Sequence, residues 1–306
     1  MKINTIKIGA TIATGQYQNM QPSIELSDVD IKEGTEIGVS FVKDLFARFS
    51  EKGALNEKEV IQETRTTITT KSFNEDIDIE VEPIGHTYSH KGKDLTPVTI
   101  FIDKFYKKFD SDKMSEVTAK SWGVDQTELK DLWNENGNLS SSFGNVVHNA
   151  IEFYLKFREL GEEISEHKGL DYNYALPKHP VLRAIIEGYI AIETSKGEVI
   201  PEVLLTSTKN GLCGRADSIE IVNLKKKICR VGEIKVNIGS EEIDRNMKAS
   251  APFEKLPANK LTKYQIQDSV YANMLQEAGW TVEGVDIYVY ENEWKHYPVD
   301  VLQVIN

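Results

Sequence analysis

The chain has 306 residues, 40% hydrophobic and 27% charged, a balance that fits a soluble globular protein of one large or two small domains and excludes a disordered chain. A formal net charge of −12 argues against broad, nonspecific coating of nucleic acid, though not against a local basic groove. No apolar run is long enough to span a membrane, no signal peptide is expected, and two cysteines, Cys213 and Cys229, supply neither a disulfide framework nor the ligands of a zinc ribbon or iron–sulfur cluster, so the expected compartment is the reducing cytoplasm.

Residues 3–14 and 22–29 read as short strands. Residues 33–52 read as a helix with Ile37, Phe41, Leu45 and Phe49 on one face and Gly53 as its stop. This ββα unit reads as a small N-terminal module, followed by a polar linker over 53–80 with room for one helix turn and a strand. A second start comes at His86, where HTYSHKGKDLTPVTIF reads as a hairpin turning at Gly92 and entering a helix. Helix is expected over 112–134, including Trp122 and Trp133, which at helical spacing favour the core over base stacking. A further helix is expected over 142–160 and another over 180–195. Strands follow at 199–207, 211–222 and 228–237, the last two joined by a hairpin through Asn223–Lys227. Residues 261–278 close as a helix at Gly279, and 282–290 form a last strand. From His148 onward the pattern is that of a mixed sheet with helices packed on it.

The chemistry-bearing residues fall on adjacent strands. Asp217 lies in GRADSIEIV, and Glu233 and Lys235 lie in VGEIKVN. Residues i and i+2 of a strand share a face, so Glu233 and Lys235 point together while Ile234 and Val236 point away. The hairpin sets Asp217 beside Glu233. Two carboxylates at one point repel unless a cation sits between them, and oxygen ligands select a hard divalent ion, Mg²⁺ or Mn²⁺. Lys235 is then placed to hold a water or to stabilise charge on a phosphate. Glu202, on the preceding strand, is a candidate extra ligand. His148 follows Gly144 by one helical turn, and Gln267 and Tyr271 share a helix face.

Taken in order, Gly144-x-x-x-His148, Glu202, Gly214-Arg215-x-Asp217, Glu233-x-Lys235 and Gln267-x-x-x-Tyr271 resemble the RecB-like branch of the PD-(D/E)XK nucleases. The segment from His86 to Phe101 is also similar to the entry segment of phage and bacterial members. The resemblance spans roughly residues 86–295. It implies an α/β (α+β) fold with a restriction-endonuclease-like αβββαβ core, a mixed central sheet flanked by helices. That core would occupy residues 81–306, and residues 1–80 would form the accessory module. It implies that His148, Asp217, Glu233 and the Ile234 carbonyl hold the metal, that Lys235 acts on the attacking water, and that Gln267 and Tyr271 line the site. It implies 5′-phosphate and 3′-hydroxyl products.

The expected activity is a divalent-metal-dependent DNA nuclease, an exonuclease or an end- or flap-processing enzyme of recombination, repair or replication. The alternative is a catalytically silent nuclease-fold module that binds DNA or recruits replication or recombination proteins, with residues 1–80 as the docking part. Any motor belongs to a partner, because no P-loop is present. For DNA the preferred contact is the connection before the last helix, where Arg245, Lys248, Lys255, Lys260 and Lys263 stand against a single acid, Glu254.

Overall fold

The computed structural model describes residues 67–82, 87–106, 109–195, 197–236, 250–257 and 259–305, together with the backbone of four N-terminal strands. The chain divides into two compact units, Met1–Thr64 and Arg65–Asn306.

In the first unit, β1 (Lys2–Gly9) pairs antiparallel with β4 (Ser23–Asp30), and β2 (Ile12–Gly15) pairs with β3 (Gln18–Met20). The single strand expected over 3–14 is therefore two, with a break after Gly9. The helix expected over 33–52 lies outside the described residues.

The second unit is mixed α/β, with a nine-stranded mixed sheet flanked by helices. Its strands run β13 (Trp294–Val299), β12 (Thr281–Tyr290), β11 (Ile228–Val236), β10 (Leu212–Asn223), β8 (Lys93–Pro97), β7 (Thr87–His90), β6 (Asp78–Glu82), β5 (Ile68–Lys71). β9 (Glu198–Ser207) lies along the other edge of β10. The β8–β10 and β11–β12 pairs are parallel and the rest antiparallel. Residues 68–71 and 78–80, expected to fall in the linker and accessory module, belong to strands that extend this sheet. Asn74 fixes the β5–β6 turn: its Nδ2 donates to the Thr206 carbonyl at 2.6 Å and the Met274 carbonyl at 3.0 Å. β13 was not anticipated. Its Pro298 reads as a strand breaker, but an edge strand tolerates a missing N–H.

Five helices are described: α1 (Val98–Asp103), α2 (Ser111–Trp122), α3 (Gln126–Lys168), α4 (Pro180–Ile192) and α5 (Lys260–Glu277). The sequence places one helix across 112–134 and starts the next near 142. The break falls earlier, at Gly123, whose φ of 69° ends α2 in the left-handed form that glycine adopts without strain. Asp125 then caps α3 by accepting from the Thr127 and Glu128 N–H groups. The stretch 134–142, polar except for Leu139, does not interrupt α3. Trp122 is 67% exposed rather than in the core, and Trp133 is half-buried.

α1 and α5 pack on one sheet face through Ile102, Ile266, Val270 and Met274, with Val231 and Ile287 below them. α3 and α4 cover the other face through Val147, Ile151, Ile186 and Tyr189, against Ile234 and Tyr288. The alternation of Val231 and Ile234 between the two cores is the period-two pattern of a strand buried on both faces. Cys213 and Cys229 are buried free thiols. Among the described residues, no helix is long and apolar enough to cross a membrane.

Candidate metal centre

The hairpin of β10 and β11 has Ser218 opposite Gly232, and its regular ladder stops there. Beyond it the strands splay, since β10 also takes β8 at Leu212 and Cys213. Asp217 fills the gap: its Oδ2 accepts the Ile234 N–H at 2.8 Å, replacing the lost ladder bond. Asp217 and Glu233 thus meet at the fork in the sheet, as the hairpin arithmetic predicts.

β9 brings Glu202 to the same point through a local distortion. The β9–β10 register passes from Val203 opposite Ala216 to Pro201 opposite Ser218, and Glu202 drops out of it with φ at +54°. A non-glycine residue in the left-handed region costs on the order of 1–3 kcal/mol, a strain that clusters at functional sites. α3 adds His148, whose Nδ1 lies 3.7 Å from Asp217 Oδ2. Ligand atoms of His148, Glu202 and Asp217 lie within 4.8 Å of one another. The Ile234 carbonyl faces this group, accepting from the His148 ring and from Lys235 Nζ at 3.3 Å.

Glu233 does not join the three. It is 1% exposed and contacts Lys235 directly, while Gln267 Nε2 donates to its Oε1 at 3.2 Å. The expectation of Glu233 as a direct ligand therefore meets a carboxylate already neutralised by Lys235, with Glu202 in the cluster instead. Lys235 also lies 3.9 Å from Asp217 and 5.2 Å over the Tyr264 ring. Tyr271 is buried, and Gly214 makes room for it: a Cβ there would come 2.8 Å from the Tyr271 hydroxyl. Gly144 has no such role, since a Cβ there meets open space.

The electrostatics follow from crowding acids in a dry site. Burial and then Asp217 push Glu202 up to about 7. Burial and Asp217 likewise raise Glu233. Burial works against the Lys235 ammonium, but Glu233 and Asp217 outweigh it and hold it charged. Burial lowers His148, favouring the neutral imidazole that ligates metals, although Asp217 opposes the effect. Asp268 is the residue that sequence reading missed. It is fully buried and neither of its oxygens receives a hydrogen bond. Burial and the neighbouring Glu233 raise its carboxyl well above the usual carboxylate range. Its only sequence signal is its place beside Gln267.

Two cavities flank the cluster. One, of about 570 Å³, is lined by His148, Lys235, Trp133, Tyr264 and Lys260. The other, of about 560 Å³, is lined by Glu202, Arg215, Tyr88 and Tyr271. Arg215 ion-pairs with Glu202 at 3.8 Å. Of the expected DNA contacts, Arg245 and Lys248 lie outside the described residues. Lys255 is exposed and Lys260 lines the first cavity. Lys263 is instead committed to α1, bonded to Asp103 at 2.7 Å and set over the Tyr106 ring.

No protein-family model and no curated protein matches the chain. A solved structure titled "Crystal structure of SSO0001" is 14% identical, over 52% of this chain and 68% of that one, at a TM-score of 0.24, a likeness that carries no argument.

Proposed function

We propose that the protein is a divalent-metal-dependent DNA nuclease of the PD-(D/E)XK type, with a restriction-endonuclease-like core formed by α3, β9–β11, α5 and β12. The observation that carries this reading is the meeting of His148, Glu202 and Asp217 at the splayed end of the hairpin, with the Lys235 ammonium 3.9 Å from Asp217. The donor set fits Mg²⁺ or Mn²⁺: one imidazole, two carboxylates and a peptide carbonyl, with the Glu202 carboxyl raised by burial and then by Asp217.

His148, Glu202, Asp217 and the Ile234 carbonyl would hold the ion, and Glu233 would join through water or after Lys235 turns away. A bound ion supplies Lewis acidity to the scissile phosphate and an acidified water. The chain's own groups do the rest. Lys235, kept charged by Glu233 and Asp217, orients the nucleophilic water and offsets negative charge on the phosphate. Gln267, Asp268 and Tyr264 hold Glu233 and Lys235 in place. Trp133, Tyr264 and Lys260 offer stacking faces and a cation to a strand entering the first cavity.

The test incubates the protein with end-labelled linear, single-stranded and flapped DNA and closed circles, with Mg²⁺, Mn²⁺ or EDTA. Metal-dependent loss of linear DNA with circles spared is expected, and nicked circles would make the enzyme an endonuclease. Lys235→Ala should slow cleavage at least about 100-fold while Mn²⁺ titration stays near wild type. Cleavage unaffected by Asp217→Ala would overturn the assignment.

A further inference from the structure

α3 has two apolar faces, and only one of them meets the sheet. Its 43 residues span about 64 Å at 1.5 Å per residue. Val147, Ile151 and Leu155 are buried against the sheet side. On the opposite side stand Leu132, Leu139, Val146, Phe153 and Leu160, each seven residues after the last, with Phe157 beside Phe153 at a ring separation of 5.0 Å. These six are 43–67% exposed.

A seven-residue period is not the period of a straight helix. The stripe drifts about 20° per heptad around an ideal α-helix, so over four heptads it leaves any flat surface. A second helix winding left-handed around the first stays on it, each side chain entering a hole between four others. The size also fits. Six half-exposed side chains at roughly 100 Å² each give on the order of 600 Å², near the ~800 Å² that each partner of a stable complex buries.

We infer that this stripe is a homodimer interface, in which α3 pairs antiparallel with α3 of a second copy about a two-fold axis at Val146. The spacing is self-complementary about that residue. Leu132 falls level with the partner's Leu160, Leu139 with the partner's Phe153, and Val146 with its own copy, so the five evenly spaced positions pair as an isologous contact requires, while Phe157 falls level with the partner's Glu135. Glu135 falls one residue, about 1.5 Å, off level with the partner's Lys156, which also contacts Glu152 of its own helix. Glu128 falls one residue off level with the partner's Glu163, only at the solvent-exposed ends, where charge pairs weigh little. A parallel pairing matches no charges, because the positions flanking the stripe on its other side include Trp133, Ser140 and the buried Val147. The inference is independent of the nuclease reading.

Sedimentation of the full-length protein should give twice the monomer mass. Val146→Glu should raise the dimer dissociation constant at least tenfold without changing far-UV circular dichroism. Should that variant unfold, Phe153→Ser supplies a milder reading with the same expected direction. Val146→Cys should form a disulfide-linked dimer on mild oxidation; Cys213 and Cys229 are buried and do not interfere. Leu132→Cys should not link to itself but should link to Leu160→Cys when the two are mixed. A monomeric wild type, as expected if another segment of the chain covers the stripe, would overturn the proposal. So would self-linking of Leu132→Cys, the mark of a parallel pair.

Discussion

Glu202 combines a strained backbone with a displaced carboxyl pKa. Its backbone is held at φ +54° and its carboxyl is pushed up to about 7 by burial and by Asp217. Neither feature helps the isolated chain, since strain and charge repulsion both oppose folding. The linkage sign is definite. A carboxyl whose folded pKa exceeds its unfolded value keeps its proton longer in the native state, so stability is highest below the unfolded pKa near 4.5 and falls as pH rises through 7. Glu202 alone contributes on the order of 2 kcal/mol to this loss. A cation that replaces the proton removes the penalty. Melting followed at pH 5.5 and pH 8 should therefore show the metal-free protein less stable at pH 8, with saturating Mn²⁺ raising the midpoint more at pH 8 than at pH 5.5. An equal metal effect at both values would mean that the ion binds elsewhere.

The candidate site was largely legible one residue at a time. Asp217, Glu233 and Lys235 are readable from strand alternation and one hairpin, because period-two geometry leaves little freedom. Glu202 is readable as an acid on the neighbouring strand, but its distortion is not, since nothing in Pro201-Glu202-Val203 demands a positive φ. Asp268 was hidden for a different reason. A buried acid among the other polar residues of α5 makes no distinctive local pattern, and its neighbour Glu233 lies 35 residues earlier in the sequence.

At the scale of elements, capping chemistry decides boundaries that apolar periodicity misplaces. Gly123 and Asp125 separate α2 from α3, whereas the polar stretch with Gly137 and Ser140–Ser142 does not break α3. The far end of α3 is held by another glycine. At Gly161 a Cβ would lie 2.1 Å from Asn173 Oδ1 and 2.7 Å from the Ala175 nitrogen. Asn173 ties the returning chain down, donating to the Arg158 carbonyl at 2.7 Å and accepting the Ala175 N–H at 2.8 Å. Gly161→Ala sets two effects against each other. Alanine gains about 1 kcal/mol of helix propensity. Displacing backbone and a bonded amide costs more, about 1–3 kcal/mol by the measure of overpacked sites. Denaturant titration should show a net loss of stability, and Gly144→Ala, facing open space, should show none. A gain at both positions would mean that the turn over 170–176 shifts freely.

At the scale of the whole molecule, the boundary between units matters for what can be removed. Composition places the end of the N-terminal module near residue 80, because residues 53–80 are polar and rich in Thr and Glu. Over the described residues 67–80, polarity marks a sheet edge rather than a linker. The Phe73 N–H donates to the Leu204 carbonyl at 2.9 Å, and Ser72 and Thr206 share a hydroxyl bond at 2.7 Å. Asn74 bonds Thr206 and Met274 while its Oδ1 accepts the Thr206 N–H at 2.9 Å, and Ile79 is fully buried. At roughly 1 kcal/mol net per buried hydrogen bond, these contacts hold about 4–5 kcal/mol before any apolar term. Removing residues 1–64 should leave a cooperatively folding unit that melts within a few degrees of the full chain and keeps Mn²⁺ binding. Removing residues 1–80 should lower the midpoint by about 10 °C or more, given roughly 2–4 °C per kcal/mol at this size. Since β9 carries both Thr206 and Glu202, the longer deletion should also weaken metal binding, which the shorter one leaves intact. Equal behaviour of the two truncations would mean that β5 and β6 are ornaments on the sheet rather than part of what holds β9, and with it the candidate metal centre, in place.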